Sequence, residues 1–292
     1  MKVLNYGSLN MDYVYTVEHI VVEGETLSSL NLELFCGGKG LNQSIALARA
    51  GVSVYHAGMI GEDGQALLDI CKEGKVDTRF IKQIEGKSGH TIIQVDRNGQ
   101  NSIILFGGSN QSQTKEHIDE VISFFDHGDV LLLQNEVNFL DYIIEKAFER
   151  GMQIILNPSP FNEKVQMCDL KKVSLFLLNE IEGSQITSKW EPEEILKEML
   201  MMYPNAKIVL TLGGDGAIYK DAGVICRQGI FKTQVVDTTA AGDTFTGYFI
   251  ASMLENGNVT NALKIAAKAA SIAVSKHGAI PSIPLRKEVV IE

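Results

Sequence analysis

Two carboxylates, Asp237 and Asp243, bracket the heptapeptide Asp237-Thr-Thr-Ala-Ala-Gly-Asp243, and the residues that follow, 244–254, are apolar with helical spacing. Phe245, Phe249 and Met253 recur at i, i+4 and i+8, one face of a helix, while residues 232–236 before the heptapeptide read as a strand. The heptapeptide is then a strand-to-helix turn. Backbone N–H groups of Ala240, Ala241 and Gly242 would lie unpaired at the helix N-terminus, where the positive end of the helix dipole favours an anion. A phosphoryl group suits that place. Gly242 has no Cβ to block its approach, and Asp243 is placed to take a proton from an attacking hydroxyl. Taken alone, an aspartate there is only an acidic residue favoured in a first helical turn.

A second glycine cluster, Cys36-Gly-Gly-Lys-Gly-Leu-Asn42, opens another helical stretch, residues 45–50, that stops at Gly51 as a helix stops at a C′ glycine. It is not a Walker A loop, whose Gly-x-x-x-x-Gly-Lys-Ser/Thr spacing is absent, and Asn5-Tyr-Gly-Ser-Leu-Asn10 is not a dinucleotide fingerprint. In this order and separation the two clusters resemble the paired signature regions of the ribokinase-like (PfkB-type) carbohydrate kinases. The resemblance runs over essentially the whole chain. Gly7-Ser-Leu-Asn-Met-Asp12 looks like that family's sugar-binding strand, Gly24-Glu25-Thr26 like its lid segment and Asn157-Pro-Ser-Pro160 like its mid-sheet turn. Asn179-Glu-Ile-Glu182 is similar to its Asn-x-x-Glu element, Thr211-Leu-Gly-Gly-Asp-Gly216 to its nucleotide loop, and Gly278-Ala-Ile-Pro-Ser282 to its cation loop.

The resemblance implies an ATP-dependent sugar kinase that moves the γ-phosphoryl group to a sugar hydroxymethyl, with Asp243 as base and Ala240, Ala241 and Gly242 as the anion site. Asn10, Asp12, Gly38, Asn42 and Glu136 would hold the sugar. Their side chains can bond hydroxyls, and Glu136 follows a strand at the end where ligands collect in α/β sheets. Lys39 either contacts the sugar or solvates its turn. By the same resemblance Asn179, Glu182, Thr211, Gly213 and Gly216 face the nucleotide and Mg²⁺, and Asp237, Thr239, Ala273, Lys276, Gly278 and Ser282 surround a monovalent cation, K⁺. Ribose, giving ribose 5-phosphate, is the expected substrate. His90, Thr91 and Phe106 depart from the family pattern on the lid side, as Cys36 and Leu178 do more mildly, so fructose, another furanose-forming sugar or a nucleoside stays as the alternative. A sugar-binding regulator without turnover is a third reading, against which the intact Gly242 and Asp243 weigh.

Short apolar runs alternate with helical patterns along the chain, which predicts an α/β fold: a central, mostly parallel sheet with helices on both faces, as one domain over 1–292. Residues 130–133, 154–156, 175–178 and 208–212 read as fully buried strands, and residues 140–150 and 193–203 as amphipathic helices. Residues 13–35 and 89–105 alternate without a helix between, with a hairpin over 91–99, and form a small second sheet that the resemblance identifies as the lid. An apolar sheet face must be covered, by substrate or by another copy, and the resemblance implies both, hence a homodimer through that sheet. The formal charge of −10 argues against nucleic acid and anionic membranes as partners. No run of about 18 apolar residues appears and the N-terminus enters a strand, so the expected location is cytoplasmic. Cys36, Cys71, Cys168 and Cys226 lack metal or redox spacing and read as free thiols, and no histidine pair has metal-ligand spacing; His90 falls in a segment that could face substrate and reads as a packing or surface residue.

Overall fold

Runs such as Val130-Leu-Leu-Leu133 present apolar side chains to both faces of a sheet, so they are stable only where helices cover both faces. In the computed structural model, which describes residues 1–291, strands and helices alternate to meet that demand. The chain opens with β1 (Val3–Tyr6), β2 (Asn10–Thr16), β3 (Asn31–Gly37), α1 (Lys39–Arg49), β4 (Val54–Ile60), α2 (Gln65–Glu73), β5 (Asp77–Gln83), β6 (Gly89–Val95) and β7 (Asn101–Phe106). It continues through α3 (Lys115–Ser123), β8 (Val130–Gln134), α4 (Leu140–Glu149), β9 (Gln153–Asn157), α5 (Glu163–Gln166), β10 (Leu175–Asn179), α6 (Glu180–Thr187) and α7 (Pro192–Met202). β11 (Lys207–Thr211), β12 (Ala217–Lys220), β13 (Ile225–Gln228), α8 (Ala241–Asn256) and α9 (Val259–Ala273) complete it.

The large sheet has nine strands in the order β13-β12-β11-β10-β9-β8-β1-β4-β5, parallel except at the β11-β12-β13 edge. Successive residues of a strand point to opposite faces. Val130 and Leu132 join one core layer with Leu41 and Ile45 of α1 and Phe245 and Phe249 of α8. Leu131 and Leu133 join the other with Ile118 of α3, Ile143 of α4 and Ile195 of α7. The expected helical face of α8 is thus buried, with the Phe245 and Phe249 rings stacked at 6.2 Å. Among the described residues no helix is long and apolar enough to cross a membrane, and all four cysteines are free.

A separate four-stranded sheet, ordered β3-β2-β6-β7, matches the expected small sheet. Its β6-β7 hairpin is closed by Asp96, whose Oδ1 accepts from the N–H groups of Asn98 and Gln100 at 2.8 and 2.9 Å. Pairing runs further than the alternation signals, from Asn10 opposite Gly37 to His90 opposite Phe106, so Asn10 and Asp12 belong to the sheet itself. Two readings need correction. Residues 7–12 are not one strand, because Gly7 to Leu9 link β1 of the large sheet to β2 of the small one. Residues 232–236 are not a strand either. β13 ends at Gln228, and Val235 and Val236 are 63% and 40% exposed, with no apolar layer to enter. The segment is tied instead by the N–H groups of Val236 and Asp237, which both donate to Val274 O at 2.8 and 3.2 Å.

Candidate active site

In the large sheet β1 lies between β8 and β4, so the chain winds away from it in opposite directions and a crevice opens beyond the strand C-termini. Gly7, Glu136, Asn157, Asn179 and Thr211 all sit at or just past those ends. Across the crevice α8 starts with Ala240 in the left-handed region at φ 57° and carries Asp243 in its first turn. The crossing of α1 and α8 is backbone-close. A Cβ on Gly247, one turn past Asp243, would collide with the Ala46 Cβ and stand 2.8 Å from the Leu47 N. That approach brings α1 side chains to Asp243: Asn42 Nδ2 donates to Oδ2 at 3.0 Å and Gln43 Nε2 to Oδ1 at 2.9 Å.

The anion turn is narrower than the sequence implies. The N–H of Ala241 donates to Thr238 O at 3.2 Å, because the left-handed Ala240 folds the turn back on itself, while those of Ala240 and Gly242 have no partner among the described residues. A Cβ on Gly242 would meet nothing within 4 Å, so a space stands open in front of these amides. It belongs to a cavity of about 220 Å³ lined by Lys39, Asn157, Asn179, Glu182, Thr211 and Ala240 through Asp243, among others. Burial works against the Lys39 ammonium, yet the carboxylates of Asp243, Glu136 and Glu182 hold its pKa above the ordinary lysine value. Lys39 is half-buried and lines the cavity.

Beside it the proposed sugar residues form one connected group. Ser8 Oγ donates to Glu136 Oε2 and accepts from Gly40 N at 3.2 Å, and Lys39 N donates to the same Glu136 oxygen at 3.1 Å. Burial raises the Glu136 pKa, with Lys39 and Ser8 pulling the other way. Gly38, at φ 94°, takes a conformation that favours glycine and lets Asn10 N and Ser8 Oγ come to 3.1 Å of where its Cβ would be. Asn10 Oδ1 accepts from Asn110 Nδ2 at 2.7 Å, and Asn110 is itself oriented by the N–H and carbonyl of Leu9. Asp12 lies against Gly37 and accepts from Thr91 Oγ1 at 2.5 Å; burial raises its pKa and the Thr91 bond lowers it. His90 is a packing residue, its ring 4.9 Å from Phe106 and 5.9 Å from Tyr13. Burial pushes the Cys36 thiol pKa up, against any nucleophilic role.

Against Ala241 and Gly242 lies an apolar cavity of about 350 Å³, lined also by Thr211, Gly213, Gly214 and Gly216 of the β11 loop and by Phe231, Val235, Phe245 and Val274. Asn179 and Glu182 form a capping box at α6, which holds the Glu182 carboxylate at the crevice mouth. In the cation loop, Asp237 Oδ1 accepts from Thr239 N and Oγ1 at 2.9 and 2.6 Å, and Oδ2 from Gly278 N at 2.9 Å. Lys276 Nζ pairs with Glu288 at 3.2 Å, Ser282 is fully buried with its hydroxyl donating to Ala279 O, and Ala273 O accepts from Lys276 N. The Val274 carbonyl holds the Asp237 N–H.

Asn110, Gln43 and Gln134 escape the motif patterns, and Ser8 stands inside the Gly7–Asp12 motif without being singled out by it. Only one signal announces any of them: Asn42, Gln43 and Ser44 are three consecutive polar residues at the start of an apolar helix, and all are buried.

A family model described as pfkB family carbohydrate kinase matches residues 1–286. The chain is 34% identical to the ribokinase of Staphylococcus aureus (strain COL), covering 99% of this chain and 98% of that protein, and 32% identical to that of Bacillus subtilis (strain 168), over 97% and 96%. Among solved structures it is similar to Arabidopsis thaliana ribokinase complexed with ribose and ATP, at 29% identity and a TM-score of 0.86 over 99% of this chain and 97% of that one. A ribokinase from Cryptococcus neoformans var. grubii serotype A in complex with ADP gives 30% identity and a TM-score of 0.87, covering 99% and 98%. With its crevice, its anion turn and a family match over nearly its whole length, the chain belongs to the pfkB family of carbohydrate kinases.

Proposed function

We propose that this carbohydrate kinase transfers the γ-phosphoryl group of ATP to the hydroxymethyl group of ribose, giving ribose 5-phosphate and ADP. The carrying observation is the place of Asp243, a buried carboxylate that lines the polar cavity with Lys39 and directly follows Ala241 and Gly242, which line both that cavity and the apolar one behind the Gly213 loop. Similarity to ribokinases, one of them solved with ribose and ATP, supports the choice of sugar and nucleotide. ATP lies with its base end in the apolar cavity and its phosphates toward the α8 N-terminus. The sugar is held by Asn10, Asp12, Gly38, Asn42 and Glu136, and Asn42 Oδ1, a buried acceptor with no partner, is free to take a hydroxyl bond. Asp243 accepts the proton of the attacking hydroxyl. Lys39 and the Ala240 and Gly242 amides meet the charge on the moving phosphoryl group.

Mg²⁺ uses one or two carboxylates plus phosphate oxygens and waters, and the buried Glu182 at the cavity beside Asn179 fits that use. Glu182 would hold the ion there, and its charge would be supplied against that of the transferring phosphates. Asp237, which ties Thr239 to Gly278, fits K⁺ as a hard oxygen ligand beside the anion turn, with the surrounding backbone carbonyls as its partners. The protein acts as one unit over 1–292, the sheet of β2, β3, β6 and β7 serving as a lid. Leu34, Ile103, Ile104, Leu105 and Phe106 are exposed on that sheet, which supports a homodimer through it, and the protein is read as cytoplasmic. The Thr91 hydroxyl on Asp12 is the observation that keeps fructose or a nucleoside as the second reading. Coupled ADP release measured with ribose, 2-deoxyribose, fructose and nucleosides separates them: kcat/KM is expected to be highest for ribose. An advantage of about tenfold for another acceptor overturns the sugar and keeps the kinase; no turnover on any of them supports the regulator.

A further inference from the structure

Asp243 is not free to rotate in the crevice, since each of its oxygens already accepts one amide N–H, from Gln43 and from Asn42. Gln43 is fully buried and both ends of its carboxamide are committed. Its Oε1 accepts from Gln134 Nε2 at 2.6 Å, and its Nε2 donates to Asn157 Oδ1 at 3.0 Å as well as to Asp243. Gln134 also donates to Asn5 Oδ1 at 3.0 Å, and Asn5 Nδ2 donates to Gly40 O at 2.7 Å and Ser44 Oγ at 2.8 Å. Ser44 in turn meets His56 Nδ1 at 2.7 Å.

A side-chain amide can exchange its donor and acceptor ends by turning over. In this chain the direction is fixed. Gly40 O is a backbone acceptor and cannot turn, so Asn5 must face it with its NH₂. Asn5 Oδ1 then demands a donor from Gln134, and Gln43 must meet Gln134 with its oxygen and Asp243 with its NH₂. Gln134 leaves its own Oε1 without a partner. Turning it would set that oxygen against Asn5 Oδ1 and Gln43 Oε1, which is worse. A polar chain in the middle of an otherwise apolar layer is energetically demanding and is tolerated when its order matters.

We infer that Gln43, set in direction by Gln134 and Asn5, is a positioning residue that fixes the rotation of the Asp243 carboxylate and keeps an unshared lone pair turned to the attacking hydroxyl. This rests on the reading of Asp243 as the base. Gln43→Met keeps the side-chain length and removes both ends of the amide. It is expected to lower kcat by about 10²-fold, the scale of a misplaced catalytic group, while the Kd for ribose and the KM for ATP stay within about threefold. Gln134→Met, one hydrogen bond further from Asp243, should lower kcat by about tenfold with the same split, and it decides the matter if Gln43→Met does not fold. In an Asp243→Asn background Gln43→Met should cost nothing more, since the group it aims has lost its base; a merely structural role costs the same in both backgrounds. Wild-type kcat in both methionine variants, or equal losses in both backgrounds, overturns the inference alone. Near-normal activity of Asp243→Asn by itself overturns the base reading and this inference with it.

Discussion

On the side of the crevice proposed for the sugar, polar side chains hold one another: Ser8 on Glu136, Asn110 on Asn10, Thr91 on Asp12, and Asn42 and Gln43 on Asp243. On the side proposed for the nucleotide, backbone and shape take their place: the glycines 213, 214 and 216, the apolar walls of Phe231 and Val274, and the unpaired amides at Ala240 and Gly242. The difference matches two kinds of ligand. A small sugar must be told from its isomers, and buried polar groups that would be left unpaired by the wrong one do that best. A nucleotide is met through its phosphates and a flat base, for which dipoles and an apolar slot suffice.

The contrast is broken most severely at Asp12. Asp12→Ala removes a half-buried carboxylate and leaves Thr91 without its acceptor, so ribose should lose about 10²-fold or more in affinity by calorimetry, enough to end saturable binding, while ADP binding stays unchanged. An equal loss for both ligands would mean that the two sides are not separately built.

A smaller effect is expected where backbone does the work. If a monovalent cation orders the turn through Asp237, rates in potassium should exceed those in a large organic cation at equal ionic strength and saturating Mg²⁺, with the KM for ribose little changed. Equal rates in both salts would remove the cation from the account, leaving His277 and Lys276 beside the Gly278 loop to supply the charge.

Much of this arrangement was legible in the sequence, for physical reasons. Fully apolar runs of strand length can only be buried strands, and glycine-rich turns before apolar helices can only be helix starts, so the large sheet, α1, α8 and the two clusters followed directly. The segment 232–236 misled because Val235 and Val236 favour strands locally but find no neighbouring edge. Gln134 and Asn110 could not be read at all. An isolated amide carries no period and no spacing, and its meaning comes only from partners 91 to 129 residues distant in the chain, such as Gln43 and Asn5 for Gln134.

The smallest effect sharpens the comparison by probing the far end of the amide chain without touching either ligand. Burial holds the His56 pKa down to about 4, against about 6.5 in an unfolded chain. Between those values the unfolded state binds the extra proton, so stability rises with pH across the window and is lost as pH falls from about 6.5 to about 4, by up to about 3 kcal/mol. His56→Gln should flatten that part of the melting-temperature profile. His117, whose pKa burial also lowers, titrates in the same direction, so the difference between variant and wild type is the quantity to read. An unchanged slope would mean that His56 carries its proton in the folded protein.

The central claim is that Asp243 is the base at the meeting point of the two sides. Asp243→Asn keeps the shape of the side chain and removes its basicity, so sugar-dependent ADP release should fall by about 10²-fold or more, while calorimetry still detects ribose with an affinity within a few-fold of wild type. Turnover within a few-fold of wild type would contradict the claim.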